Sequence, residues 1–244
     1  MKLSVNPKYL PVCTLGAGLA GFLLRLWLFS ARDAKGLLPA AHFADTVCYL
    51  IFAAALVWIL LCVRQLPNKM HYHHIFPTGW IPAAGCCVGA AGILYTCIAD
   101  AVTKAAFSGL GLVTGILAAA ALAVTGLIRF RGNRPSVYLL AVLTVYLVIH
   151  TLIQVRVWSQ ETQATVMFFP LMASLFLMVC VYYHSRLTVR PTGLRQYVFF
   201  QQATLLLCCL SLNSAYPVFY LAMGAWLGCD LYAIPQKRPR KEAA

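Results

Sequence analysis

Eight apolar stretches, joined by short polar segments, take up nearly the whole of this chain. A helix needs roughly 20 apolar residues to cross a hydrocarbon layer about 30 Å thick. The stretches run over about 10–29, 46–63, 79–99, 107–128, 137–157, 165–183, 197–212 and 216–233. Their connections are too short to fold as separate soluble domains. Residues 1–234 therefore read as a single transmembrane helical domain, and 235–244 as a basic cytoplasmic tail. A transmembrane barrel would need ten-residue segments of alternating polarity. Residues 52–62 (FAAALVWILLC) do not alternate. The expected fold class is all-α, a polytopic integral membrane bundle of about eight helices.

Charge placement sets the orientation. Only 10% of residues are charged, against about 25% in a soluble domain. The net charge of +13 would suit a nucleic-acid binder if it formed one patch. Instead, fourteen of the nineteen Lys and Arg fall at the two termini and in the second, fourth and sixth connections. Arg64 and Lys69 mark the second, Arg129, Arg131 and Arg134 the fourth, and Arg186, Arg190 and Arg195 the sixth. Excess Lys and Arg mark the cytoplasmic face. Both termini are thus expected in the cytoplasm, in a multi-pass protein of the cell membrane. The partner this implies is the lipid bilayer, with anionic headgroups drawn to the basic loops, and no nucleic acid.

The first apolar run follows Lys2 and Lys8, as a signal peptide's would. It is long, carries Arg25 and lacks a small-x-small cleavage site, so it reads as a retained helix. The first connection, with its apolar segment 36–43, is expected to lie on the outer leaflet or fold back over the bundle. The last two spans are the least defined, the seventh being short and holding Gln201 and Gln202.

All ten cysteines fall inside predicted spans and no C-x-x-C occurs. They read as small polarizable packing residues. Three G-x-x-x-G pairs, Gly85 with Gly89, Gly111 with Gly115 and Gly224 with Gly228, place two glycines on one helix face, and Ala17 with Gly21 repeats the spacing. Such faces allow close helix approach. They serve either packing within the chain or a contact with a second copy or another membrane subunit.

Polar residues inside spans are the candidates for function. Tyr146, His150 and Gln154 recur every four residues and share a face of the fifth span. That stripe must face other helices or a wet cavity, because lipid offers no hydrogen bonds. It fits interhelical bonding, or substrate and proton handling with His150 as the titratable member. Arg25 lies toward the outer end of the first span. It is expected to snorkel outward, to meet an outer acid such as Asp33, Asp45 or Asp100, or to contact an anionic substrate. Asp230 lies near the inner end of the last span. It is expected to meet Lys237 or another inner basic residue, or to act as a proton-coupling carboxylate. Pro170 interrupts the sixth span and removes a backbone donor there.

The chain lacks the phosphate-loop, zinc-protease and nucleophile-elbow motifs. His71, His73 and His74 form a loop cluster without a Cys or acid partner, a weak zinc signal. No residue set calls for a metal or cofactor, and six acids leave little material for an enzyme's acid–base pair. The expected function is a small-solute transporter or permease-like subunit. Its polar path would use Arg25, Tyr146, His150, Gln154 and Asp230, with Gln201, Gln202 and Asn213 as further lining. The alternative is a non-transporting sensor or assembly subunit that binds a partner protein.

Overall fold

The computed structural model describes residues 10–31, 42–67, 76, 79–103, 108–158 and 164–233. Within them the chain forms eight α-helices and no strands. They are α1 Leu10–Ser30, α2 Phe43–Val63, α3 Trp80–Val102, α4 Ser108–Phe130, α5 Val137–Trp158, α6 Ala164–Val189, α7 Leu194–Leu210 and α8 Pro217–Ala233. The first six are long and apolar enough to cross a membrane. The apolar segment 36–41, the histidines at 71, 73 and 74, Asp33, Lys237 and the tail 235–244 lie outside the described residues.

The helices pack in a ring, α3–α4–α5–α6–α7–α8 and back to α3, with α1 and α2 seated on α7. The hairpin of α7 and α8 is the core. These are the two shortest helices, at 17 residues each, or about 26 Å. Twelve of the α7 residues, among them Gln201, Gln202 and Thr204, are buried. Their polar content follows from that position. A helix wrapped in protein needs less hydropathy than one facing lipid.

The outer surface shows the reverse. Leu23 on α1 is 62% exposed while its near neighbour Arg25 is 2% exposed. Leu50, Val57, Ile98, Val113, Leu127, Val145 and Leu152 also point outward, while Arg129, His150, Gln154 and Asp230 are buried. Polar inside and apolar outside is the arrangement expected of a bundle surrounded by hydrocarbon.

Small residues set the closest crossings. A Cβ on Gly85, Gly89 or Gly92 of α3 would run into Cys229, Leu122 or Ala222 respectively. Two of these three neighbours lie on α8, in antiparallel order, and Leu122 belongs to α4. Gly115 and Gly126 of α4 abut Cys97 and Cys86 of α3, Gly111 abuts Ile153 of α5, and Gly224 abuts Cys208 of α7. Gly18 and Gly21 of α1 meet Cys209 and Leu210 of α7. Five of the six G-x-x-x-G glycines thus serve packing within the chain, and Gly228 has no neighbour within 4 Å. Cys86, Cys97, Cys208, Cys209 and Cys229 fill these crossings, Cys13 and Cys87 are exposed, and all ten are free.

Three helices extend two residues or more past their expected ends. The third continues through Asp100 to Val102, the fourth through Arg129 to Phe130, and the sixth through His184 and Arg186 to Val189. The reason at α4 is the partner waiting for Arg129.

Candidate functional site

The polar stripe of α5 lies against α6 and α8. Gln154 is its hub. The amide Nε2 donates to the Tyr220 hydroxyl at 2.9 Å and lies 2.8 Å from His150 Nε2. The Ser174 hydroxyl donates to Gln154 Oε1 at 2.9 Å. Tyr220 in turn reaches the carbonyl oxygen of Pro170 at 3.0 Å. With the amide in this orientation, His150 Nε2 accepts, so its ring proton sits on Nδ1. Ser174 stands one helical turn after Pro170, which brings both onto the α8 side of α6.

Tyr146 joins through its ring. It stacks on His150 with centroids 5.6 Å apart, while its hydroxyl accepts from Cys97 Sγ at 3.5 Å. Tyr216, in the α7–α8 connection, meets His150 edge-on at 5.1 Å and lies beside the Asp100 carboxylate. The three stripe residues are therefore brought together. Their partners Ser174 and Tyr220 carry no sequence signal, since single Ser and Tyr residues occur in most spans.

Gln201 and Asn213 are not part of this lining. Gln201 Nε2 donates to the Leu227 carbonyl at 3.2 Å, and Asn213 Nδ2 to that of Phe22 at 3.5 Å. Both tie α7 and its following turn to neighbouring helices.

Arg25 neither snorkels nor forms an ion pair. Its guanidinium lies 4.7 Å from the Phe169 ring centroid and 5.2 Å from that of Phe29. Tyr49 stacks on Phe169 at 5.2 Å and extends the aromatic box. Asp45, on the first turn of α2, acts on Arg25 electrostatically without reaching ion-pair distance. Nε and Nη1 of Arg25 are buried with no hydrogen-bond partner among the described residues. Phe169 immediately precedes Pro170, so the arginine box and the Gln154 network share one step of α6.

The opposite end of the bundle holds a second charged site. Arg129 Nη1 bonds Asp230 Oδ1 at 2.7 Å, with the side chains 2% and 0% exposed. Asp230 therefore pairs with a basic residue, Arg129, that the sequence alone places in the fourth connection, after an apolar run. The absence of any acid near Arg129 in sequence was the available signal. Phe76 lies 5.2 Å from the guanidinium, and His184 stacks on Phe76 at 4.4 Å. Tyr197 and Trp226 complete the aromatic surround. Three buried atoms here, Asp230 Oδ2, His184 Nε2 and Trp226 Nε1, have no hydrogen-bond partner among the described residues.

Arg25 and Asp230 thus occupy opposite ends of the bundle, with the Gln154 network nearer Arg25. Among the described residues no group of three His, Cys, Asp or Glu side chains is placed to hold a metal. No family model, curated protein or solved structure matches the chain. Its function has to be read from this geometry.

Gln154→Leu is expected to lower stability by about 1 kcal/mol, the usual worth of interhelical hydrogen bonds in bundles of this kind. Thermal unfolding in detergent would measure it. The double variant Gln154→Leu/Tyr220→Phe should lose clearly less than the sum of the singles, because both remove the same bond.

Proposed function

We propose that this chain is a permease-like carrier of small anionic solutes in the cell membrane, with both termini cytoplasmic, and that the described arrangement is its closed state. The observation that carries this reading is Arg25. A buried cation without a hydrogen-bonded anion is costly, and intramembrane charges are rare unless used. An anion entering from the outer side would complete it with charge-assisted hydrogen bonds. Opening would separate α6 from α5 and α8 at the Pro170 step, where the helix already lacks one backbone bond. The Gln154 network would then exchange its internal partners for solute or water.

Purified protein in liposomes should take up at least one small carboxylate or inorganic anion from a metabolite panel. Arg25→Gln should reduce that uptake about 30-fold or more, the scale of losing one buried charged hydrogen-bonding partner. Arg25→Lys should retain part of it. Wild-type protein that neither binds nor moves any panel member would overturn the proposal.

The second reading, a sensor or assembly subunit, draws on the same network being hydrogen-bonded within itself, and on Gly228 facing open space. It predicts a stoichiometric partner on affinity capture in mild detergent. It also predicts a phenotype lost in Gly228→Leu but kept in Gln154→Ala.

A further inference from the structure

A groove of about 470 Å³ runs between the start of α5 and the end of α6, lined by Val137, Tyr182, Ser185, Arg186, Val189 and Arg190. Arg186, in the last turn of α6, and Arg190, the residue just past its end, stand four residues apart, and both are exposed. Arg186 lies 6.0 Å from the Tyr183 ring centroid, a contact that leaves its charge in place. The one acid at this end of the bundle among the described residues is Asp230, which is fully buried against Arg129. Arg131 and Arg134, in the turn leading to α5, add to the same field. Among the described residues no acid pairs with either arginine, and an anion from outside the chain would neutralise them.

The rest of the groove specifies what carries that anion. Val137, Val189 and the ring of Tyr182 make its floor apolar. It continues into the outward faces of α5 and α6, where Val142, Val145 and Leu175 are exposed. Tyr138, which follows Val137 in the chain, is 82% exposed, and tyrosine favours the headgroup level of a bilayer. A soluble polyanion would satisfy the arginines and leave the apolar half bare. A phospholipid satisfies both, its phosphate between two guanidinium groups and its acyl chains along α5 and α6.

We infer that this groove holds one anionic glycerophospholipid of the inner leaflet, with Arg186 and Arg190 clamping its phosphate. The inference rests on the bilayer reading above and is independent of transport.

The test is native mass spectrometry of the full chain, delipidated in detergent and titrated with phosphatidylglycerol or phosphatidylcholine. One phosphatidylglycerol should be retained per chain in preference to phosphatidylcholine. Arg186→Gln/Arg190→Gln should weaken retention about 30-fold, at the usual worth of two membrane-facing arginines. Arg64→Gln, an exposed inner cation outside the groove, should leave it unchanged. Equal retention of phosphatidylcholine, or equal loss in Arg64→Gln, would overturn the site. So would competition by inorganic phosphate at the same concentration as the lipid, since the acyl chains would then contribute nothing. Protein that stays monomeric without detergent would overturn the bilayer reading as well, which separates the two failures.

Discussion

Asp230→Asn is expected to destabilise the bundle by about 3–5 kcal/mol, the usual cost of removing one member of a buried ion pair. The substitution preserves shape and removes charge. It leaves the Arg129 guanidinium, 2% exposed, facing at best a neutral amide oxygen where a charged carboxylate now lies 2.7 Å away. The ring of Phe76 at 5.2 Å offsets little of this, since a cation–π contact is worth about 2 kcal/mol even when desolvated. The pair itself contributes much less than the single variant suggests. Burying two charges costs several kcal/mol per ion before any attraction is counted, and Asp230 Oδ2 gains no hydrogen bond in return. The double variant Arg129→Met/Asp230→Leu should therefore recover most of the lost stability, and is allowed to exceed the parent. Thermal or denaturant unfolding in detergent, compared across the four proteins, measures both effects. If Asp230→Asn cost under 1 kcal/mol, water would have to reach the pair and the inner site would not be sealed.

If the inner site has a functional role, the same double variant exposes it. Stability would return while uptake would not. A purely structural pair predicts that both return together. Asp230 was singled out from its place in an apolar run. Its partner was not, and the difference is physical. A carboxylate within an apolar span, even near its end, has no bland location, so it stands out. An arginine after the last apolar residue has an ordinary place in a cytosolic turn. Only the extension of α4 to Phe130, which carries Arg129 back over Asp230, distinguishes the two situations.

The stripe on α5 was legible for a related reason. Residues four apart share a face whatever the surroundings, so Tyr146, His150 and Gln154 declare their grouping locally. Ser174 and Tyr220 complete the network from helices 20 and 66 residues away from Gln154, and no local pattern encodes that pairing. Arg25 shows the opposite limit. Its depth in α1 was readable, and snorkelling was a sound expectation for a charge one turn from the end. The rings of Phe169 and Phe29 hold it inward instead, and Phe169 comes from the other half of the chain. The seventh span was weakly marked because its neighbours are protein, and hydropathy reports contact with lipid; the eighth is apolar but short.

Gly92→Leu is expected to cost about 3 kcal/mol or more, the upper range for overpacking, and to reduce the yield of folded protein. Gly92 lies where α3 crosses α8, and even a single added Cβ collides with the Cβ of Ala222. The Ala222 Cα and the Val218 carbonyl oxygen would both be 3.6 Å from it, so backbone bounds the space and no rotamer relieves the clash. The milder Gly92→Ala should be destabilising alone and largely rescued by Ala222→Gly, which moves the methyl group from one side of the crossing to the other. Gly228→Leu is the contrast. With nothing within 4 Å of its added Cβ, it should change monomer stability by no more than about 0.5 kcal/mol. Fluorescence-detected size exclusion and thermal unfolding in detergent separate the outcomes. A Gly228→Leu protein that folds normally but loses a higher-order species would assign that face to a contact between chains. One that folds and migrates like the parent would leave the glycines of α3, α4 and α8 with a single task, bringing this chain's own helices close enough to seal Arg129 and Asp230 from water.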